Sequence, residues 1–125
     1  MKRLVLESWL LLIRFEWLMR LGRFQKLYRI VQQEPVRSVT SAPLIAKEDL
    51  CRGMDYACVF YFKQVLCLQR SAATTLLLRR HGFDAELVIG AMLLPFRSHA
   101  WVEFNGQVIN DKPYMQTIYQ VLERC

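Results

Sequence analysis

Histidine is scarce in this chain of 125 residues: only His81 and His99 carry an imidazole. None of the four cysteines, at positions 51, 58, 67 and 125, stands in a C-x-x-C pair. Together these leave no ligand set for a structural zinc, and no other cofactor is expected. Four thiols could make two disulfides, but the chain is not a short, loop-rich scaffold, so reduced cysteines and a cytoplasmic location are expected. Long apolar runs are missing as well. The start, Met1 to Leu6, faintly resembles a signal peptide, yet Glu7, Arg14 and Glu16 break the run and no small-residue cleavage site follows. The longest uncharged stretch of that segment, residues 8–13, falls far short of the roughly 20 residues a spanning helix needs. No transmembrane segment is expected. Internal repeats and low-complexity tracts are absent too.

Hydrophobic residues make up 54% of the chain and aromatics 12%, which excludes a largely disordered polypeptide. The length suits one domain. The net charge of +6 is uneven: residues 1–37 hold eight basic and three acidic side chains, residues 38–125 nine and eight. A basic balance confined to one segment argues against nucleic-acid binding by the whole domain, and no basic stripe with interleaved exposed aromatics supports it.

Residues 2–32 contain no proline and one glycine, Gly22. They read as helix, in two pieces meeting near Gly22. At about 100° per residue, Arg3, Glu7 and Arg14 share one side and Glu16, Arg20 and Arg23 a nearly opposite one. Two apolar sectors lie between, as in a helix packed on both sides. Residues 34–43, with Pro35, Ser38, Thr40, Ser41 and Pro43, read as a loop. Helices follow over residues 46–62, with Glu48 and Asp49 in the first turn, and over 67–81, with Gly82 at the C′ position. A strand is expected over 83–92, a loop over 92–98, and two strands, 99–104 and 107–111, around Asn105-Gly106. Pro113 then opens a final helix carrying Tyr114, Ile118, Val121 and Leu122 on one face. The order gives an α+β domain with helices packed on a small antiparallel sheet. Within it, residues 1–34 form a basic N-terminal helical arm and 45–125 a core.

Cys67 stands where a loop becomes a helix. There the dipole and the free N–H groups favour its thiolate and could receive an oxyanion. Most free cysteines simply pack in cores, and Cys51 and Cys58, seven residues apart on one helix, are assigned there. Cys125 is expected to be mobile. His81, beside Arg79 and Arg80 in a last helical turn, reads as structural or exposed. His99 begins a strand after a loop, a position from which functional side chains are displayed.

Register tests whether Asp111 orients His99. A two-residue Asn105-Gly106 turn sets Phe104 against Gln107 and puts Asp111 opposite Ala100, on the wrong face. A three-residue turn with a glycine bulge sets Glu103 against Gln107 and pairs His99 with Asp111, with Cβ atoms roughly 5 Å apart. A functional His99–Asp111 pair therefore predicts the bulged register.

Cys67-Leu68-Gln69-Arg70-Ser71 at a helix start, Leu87-Val88-Ile89-Gly90 on a strand, and His99-Ala100-Trp101-Val102-Glu103 followed by Asn105-Gly106 resemble the transglutaminase-like cysteine proteases of lasso-peptide biosynthesis. The resemblance covers about residues 45–115. It implies a transglutaminase-like, papain-like cysteine protease fold and removal of a leader peptide through Cys67 as nucleophile, His99 as base and acid, and Asp111 as orienting residue. Asn110, one position away, is the alternative orienter. Gln64, three residues before Cys67, is a candidate oxyanion donor, and Trp101, on the His99 face, a candidate wall of the site. Implied partners are the precursor's leader peptide, a separate leader-recognition protein, and a macrocyclase that joins the freed amine to an acidic side chain.

Two other functions fit the sequence. The same fold could transfer the acyl group to an amine other than water. Alternatively, a non-catalytic module could use the basic arm on a membrane surface or an acidic partner.

Overall fold

Two helix ends and one turn set the layout of the chain, seen in a computed structural model that describes residues 1–38 and 45–125. Helix α1 (Lys2–Arg20) stops at Leu21, and α2 (Phe24–Gln33) starts two residues after Gly22. The Gly22 N–H bonds the Met19 carbonyl at 3.1 Å and the Arg23 N–H that of Leu18 at 2.8 Å, the paired bonds of a Schellman motif. Part of the loop expected over residues 34–43 lies outside the described residues. Helices α3 (Lys47–Val59) and α4 (Cys67–Arg80) follow. The second ends in the same motif, with Gly82 N–H on the Arg79 carbonyl and Phe83 N–H on that of Leu78.

Strands β1 (Glu86–Leu93), β2 (Phe96–Phe104), β3 (Gln107–Val108) and β4 (Gln120–Arg124) form one antiparallel sheet in the order β3-β2-β1-β4. Alternation sorts their side chains onto two faces. Leu87, Ala100 and Val102 face the helices and join Leu12, Phe15, Leu50, Met54, Leu76 and Leu77 in the main core. Val88 and Trp101 face the other way, onto Met115, Val108, Tyr119 and Val121. The architecture is therefore α+β, with the four long helices on one face of the sheet and the segment around Met115 on the other.

Four expectations are corrected. Residues 92–98 are not a loop: β1 and β2 run on to a two-residue turn at Leu94-Pro95, with Leu93 opposite Phe96. The proline sits in the turn itself, where no ladder donor is needed. The final helix shrinks to α5 (Met115–Ile118), and the chain then pairs as β4 with the free edge of β1. An open edge is a strong template, and a short apolar-spaced segment serves either period. Cys125 is held, its backbone exchanging bonds of 2.8 and 3.1 Å with Leu87. Finally, α1 buries one apolar sector fully, through Leu4, Leu11, Leu12, Phe15 and Leu18, and the other only at its margin, through Ile13. In the other, Leu6, Leu10, Trp17 and Leu21 are each more than half exposed.

Candidate active site

Helix α4 presents Cys67 as its first residue, exposed to solvent, after an extended Leu66. Leu66 has no capping side chain, so the helix start is secured from within. Gln69, buried in the third position, accepts the Leu66 N–H at 3.4 Å. Its amide donates to the Leu12 carbonyl at 2.8 Å and to Tyr61 Oη at 3.3 Å. The Tyr61 hydroxyl donates in turn to Glu16 at 3.4 Å, and Lys63 Nζ bonds the same carboxylate at 3.2 Å. The loop leading into Cys67 is thus pinned to α1. Gln64, the candidate oxyanion donor, is exposed in that loop. Sequence reasoning missed Gln69, although glutamine at the third helical position is the reciprocal half of a capping box.

The direction of α4 relates Cys67 to the sheet. Ser71 Oγ donates to the Ala100 carbonyl at 3.0 Å. At the far end of the helix, Arg79 donates to Ala85, which precedes β1, and to Cys125, paired with Leu87. Cys67 lies one turn beyond Ser71, about 6 Å along the helix. That rise spans about two strand residues, so the Cys67 end of α4 points toward the His99 end of β2.

His99 and Asp111 meet: Nε2 lies 2.6 Å from Asp111 Oδ2. The register that makes this contact is not the expected one. Asn105 and Gly106 both have positive φ, 52° and 77°, as a two-residue type I′ turn requires. Phe104 accordingly faces Gln107, and Glu103 faces Val108. The ladder then stops. The Ile109 N–H still bonds the Val102 carbonyl at 3.0 Å, but the Val102 N–H goes to Asn110 Oδ1 at 2.7 Å. A side chain replaces the next rung, the backbone swings away, and Asp111 reaches a residue that a regular strand would deny it. Asn110 Nδ2 donates to Ser71 Oγ at 3.1 Å, not to His99.

Burial pushes the Asp111 carboxyl up, but the His99 hydrogen bond and the Lys112 N–H outweigh it and hold the group below its ordinary value. With Nε2 engaged, Nδ1 is the nitrogen left for proton exchange. Trp101 is fully buried beside His99, their rings 6.3 Å apart and inclined by 25°. It backs the imidazole without reaching solvent. A cleft of about 250 Å³ opens beside Asp111, lined by Cys51, Asp55, Arg70, Thr74 and Asn110. A larger cavity, of about 520 Å³, lies at the opposite end of α4 among Arg3, Glu7, Arg80 and His81.

The remaining thiols and imidazole are differently placed. Burial pushes Cys51 up to about 11 and raises Cys58, which removes both as thiolates at neutral pH. His81 joins Glu7 of α1 at 3.3 Å. Among the described residues, no group of three His, Cys, Asp or Glu is placed to hold a metal ion, and no helix is long and apolar enough to cross a membrane.

A family model described as the transglutaminase-like superfamily matches residues 9–124. The chain is also 48% identical over 56 residues to the microcin J25-processing protein McjB of Escherichia coli, a match covering 45% of this chain and 27% of McjB. The chain thus spans about a quarter of the length of that curated relative. No solved structure matches it significantly.

Proposed function

This chain belongs to the transglutaminase-like superfamily, and from that premise we propose that it is a cysteine peptidase that removes the leader from a lasso-peptide precursor. The observation that carries the reading is the 2.6 Å contact between His99 Nε2 and Asp111, at the end of the sheet toward which Cys67 points. The similarity to a protein that processes microcin J25 supports the substrate class.

The chemistry follows from the placement of the groups. Asp111 fixes the tautomer and aim of His99, and Nδ1 takes the Cys67 proton. The thiolate attacks a peptide carbonyl. The oxyanion meets the free N–H groups of the first turn of α4, with Gln64 as the candidate further donor. His99 passes its proton to the leaving amine, which departs as the new N-terminus of the core peptide. Water, deprotonated by His99, then opens the thioester and releases the leader with a free carboxylate. The amine is the product a macrocyclase would consume. Reduced thiols suit the cytoplasm.

A separate leader-recognition protein delivers the precursor, docking on the exposed stripe of Leu6, Leu10, Trp17 and Leu21 on α1. Arg20 flanks that stripe on one side and Arg14 on the other, which fits an acidic, amphipathic partner surface.

The test incubates the protein with the recognition protein and a precursor, with and without Cys67→Ala, and reads products by mass spectrometry. Cleavage at one bond, lost in Cys67→Ala, is expected. Cleavage that survives the substitution overturns the reading, and a product lighter by ammonia assigns acyl transfer to an amine instead.

A further inference from the structure

On the sheet face away from the four long helices, a buried carboxylate is linked to His99 through an aromatic ring. We propose that Glu103, held by Arg124, is a positioning residue for His99 and acts through the Trp101 indole. The inference rests on His99 being the proton-transfer group of the proposed peptidase.

The indole lies lengthwise along β2. At one end its Nε1–H donates to Glu103 Oε2 at 2.8 Å. At the other, its six-membered ring covers Gly90, the residue paired with His99 across β1 and β2. A Cβ added to Gly90 would come within 2.6 Å of Trp101 Cη2 and 2.9 Å of Tyr119 Cβ. Absence of a side chain at that one position is what lets the ring reach His99. Tyr119 completes the corner, 5.6 Å from His99 and 5.9 Å from Trp101. Three rings in mutual contact leave the imidazole little room to turn, and the hydrogen bond to Asp111 selects its orientation.

Glu103 sets the stance of the indole. It is 3% exposed, and its second oxygen accepts Arg124 Nη1 at 2.7 Å. A carboxylate this deep needs both partners, and Trp101, fully buried, needs an acceptor for its N–H. If the acceptor is lost, the ring is free to tilt and the imidazole loses its backing. Arg124 comes from β4, so the last strand serves the site without touching a reacting atom.

The experiment follows the His99 ring signals by NMR across a pH titration and the pH profile of Cys67 alkylation by peptide mapping. Cleavage kinetics are measured alongside. Glu103→Gln keeps an acceptor for the indole and is expected to retain the His99 signals and the alkylation profile. Glu103→Leu is expected to shift both and to lower kcat about tenfold with KM within about twofold. Arg124→Gln, at a half-exposed position with no contact to His99, removes the partner that holds Glu103. It must also move the His99 signals, and it decides the question if Glu103→Leu does not fold. A folded Glu103→Leu or Arg124→Gln protein with unaltered His99 signals and Cys67 profile overturns the proposal. If His99 responds to Glu103 while Cys67→Ala still cleaves, the positioning role stands and the peptidase reading fails.

Discussion

Asn110 completes the edge of β2 in place of the backbone: its side-chain oxygen accepts the Val102 N–H at 2.7 Å, while its amide holds Ser71 at 3.1 Å. One residue thereby ties β2 to α4, the helix that begins at Cys67, and turns the chain so that Asp111 meets His99. Asn110→Ala would leave the Val102 N–H and the Ser71 hydroxyl without that partner. A loss of about 1–3 kcal/mol is expected in urea unfolding. The drop in cleavage by the folded variant should exceed that of a surface substitution, because Asp111 is released from its path.

Asp111→Asn separates orientation from charge. The amide can still meet Nε2, but the imidazolium formed during proton transfer loses its counter-charge, and kcat should fall about a hundredfold. The same substitution tests acid stability. The Asp111 carboxyl is pushed up by burial but drawn down further by His99 and Lys112, so its folded value lies below its unfolded value of about 3.9. Its stabilisation is therefore complete above that unfolded value and disappears as pH falls through the folded one. Thermal scans between pH 6 and 3 should show a shallower acid loss in Asp111→Asn than in the parent protein.

Local positions of the candidate residues were more legible in the sequence than their stance. Cys67 at a helix start follows from flanking signals, and the structure has it there. His99, expected to begin a strand after a loop, is instead the fourth residue of β2, because the hairpin runs on to Leu94-Pro95. The turn was visible as Asn105-Gly106, yet its register was inferred from the contact it was meant to serve. The chain makes that contact by another route, through a side chain substituting for a rung, which no pattern of apolar and polar residues encodes. Strand β4 was hidden because Ile118, Val121 and Leu122 suit a helix as well as a strand. The free edge of β1, far away in sequence, decides between them. Glu103 and Gln69 stand in the quoted motifs, but their structural roles were not legible there, for a related reason. Each is a polar residue whose role depends on partners from another element, Arg124 and Leu12.

Gly90→Ala should disturb the site with no change of charge. The added Cβ meets Trp101 and Tyr119 at 2.6–2.9 Å, and a ring seated against Glu103 has little freedom to retreat. Overpacking of this kind costs about 1–3 kcal/mol. Denaturant unfolding should show that loss, and near-ultraviolet circular dichroism should report the displaced indole. An unchanged aromatic spectrum would show that the ring is not wedged over this glycine.

Arg79 staples the end of the domain opposite the candidate site. It is 6% exposed and donates to the carbonyls of Val31, Ala85 and Cys125, joining α2, the approach to β1 and the last residue. Arg79→Met strands three acceptors, for about 3 kcal/mol or more of lost stability. Arg79→Lys keeps the charge without the planar fork and should fall between. Cys67 lies at the other end of α4, so alkylation of Cys67 per folded molecule should be unchanged in both.

The proposed docking surface on α1 can be tested apart from catalysis. Leu10 and Trp17 are 55% and 59% exposed on one stripe, and Arg14 and Arg20 flank it. Large aromatics at the centre of an interface commonly carry 2 kcal/mol or more of its binding energy. Trp17→Ser should therefore weaken binding to the leader-recognition protein at least about tenfold, chiefly by faster dissociation. Arg14→Glu should act differently, slowing association and flattening its salt dependence. Neither change touches α4 or β2, so alkylation of Cys67 should keep its parent rate. Titration with anionic vesicles distinguishes the remaining occupant. If both variants bind the recognition protein normally but lose vesicle affinity, the stripe serves a lipid surface and the delivery protein docks elsewhere.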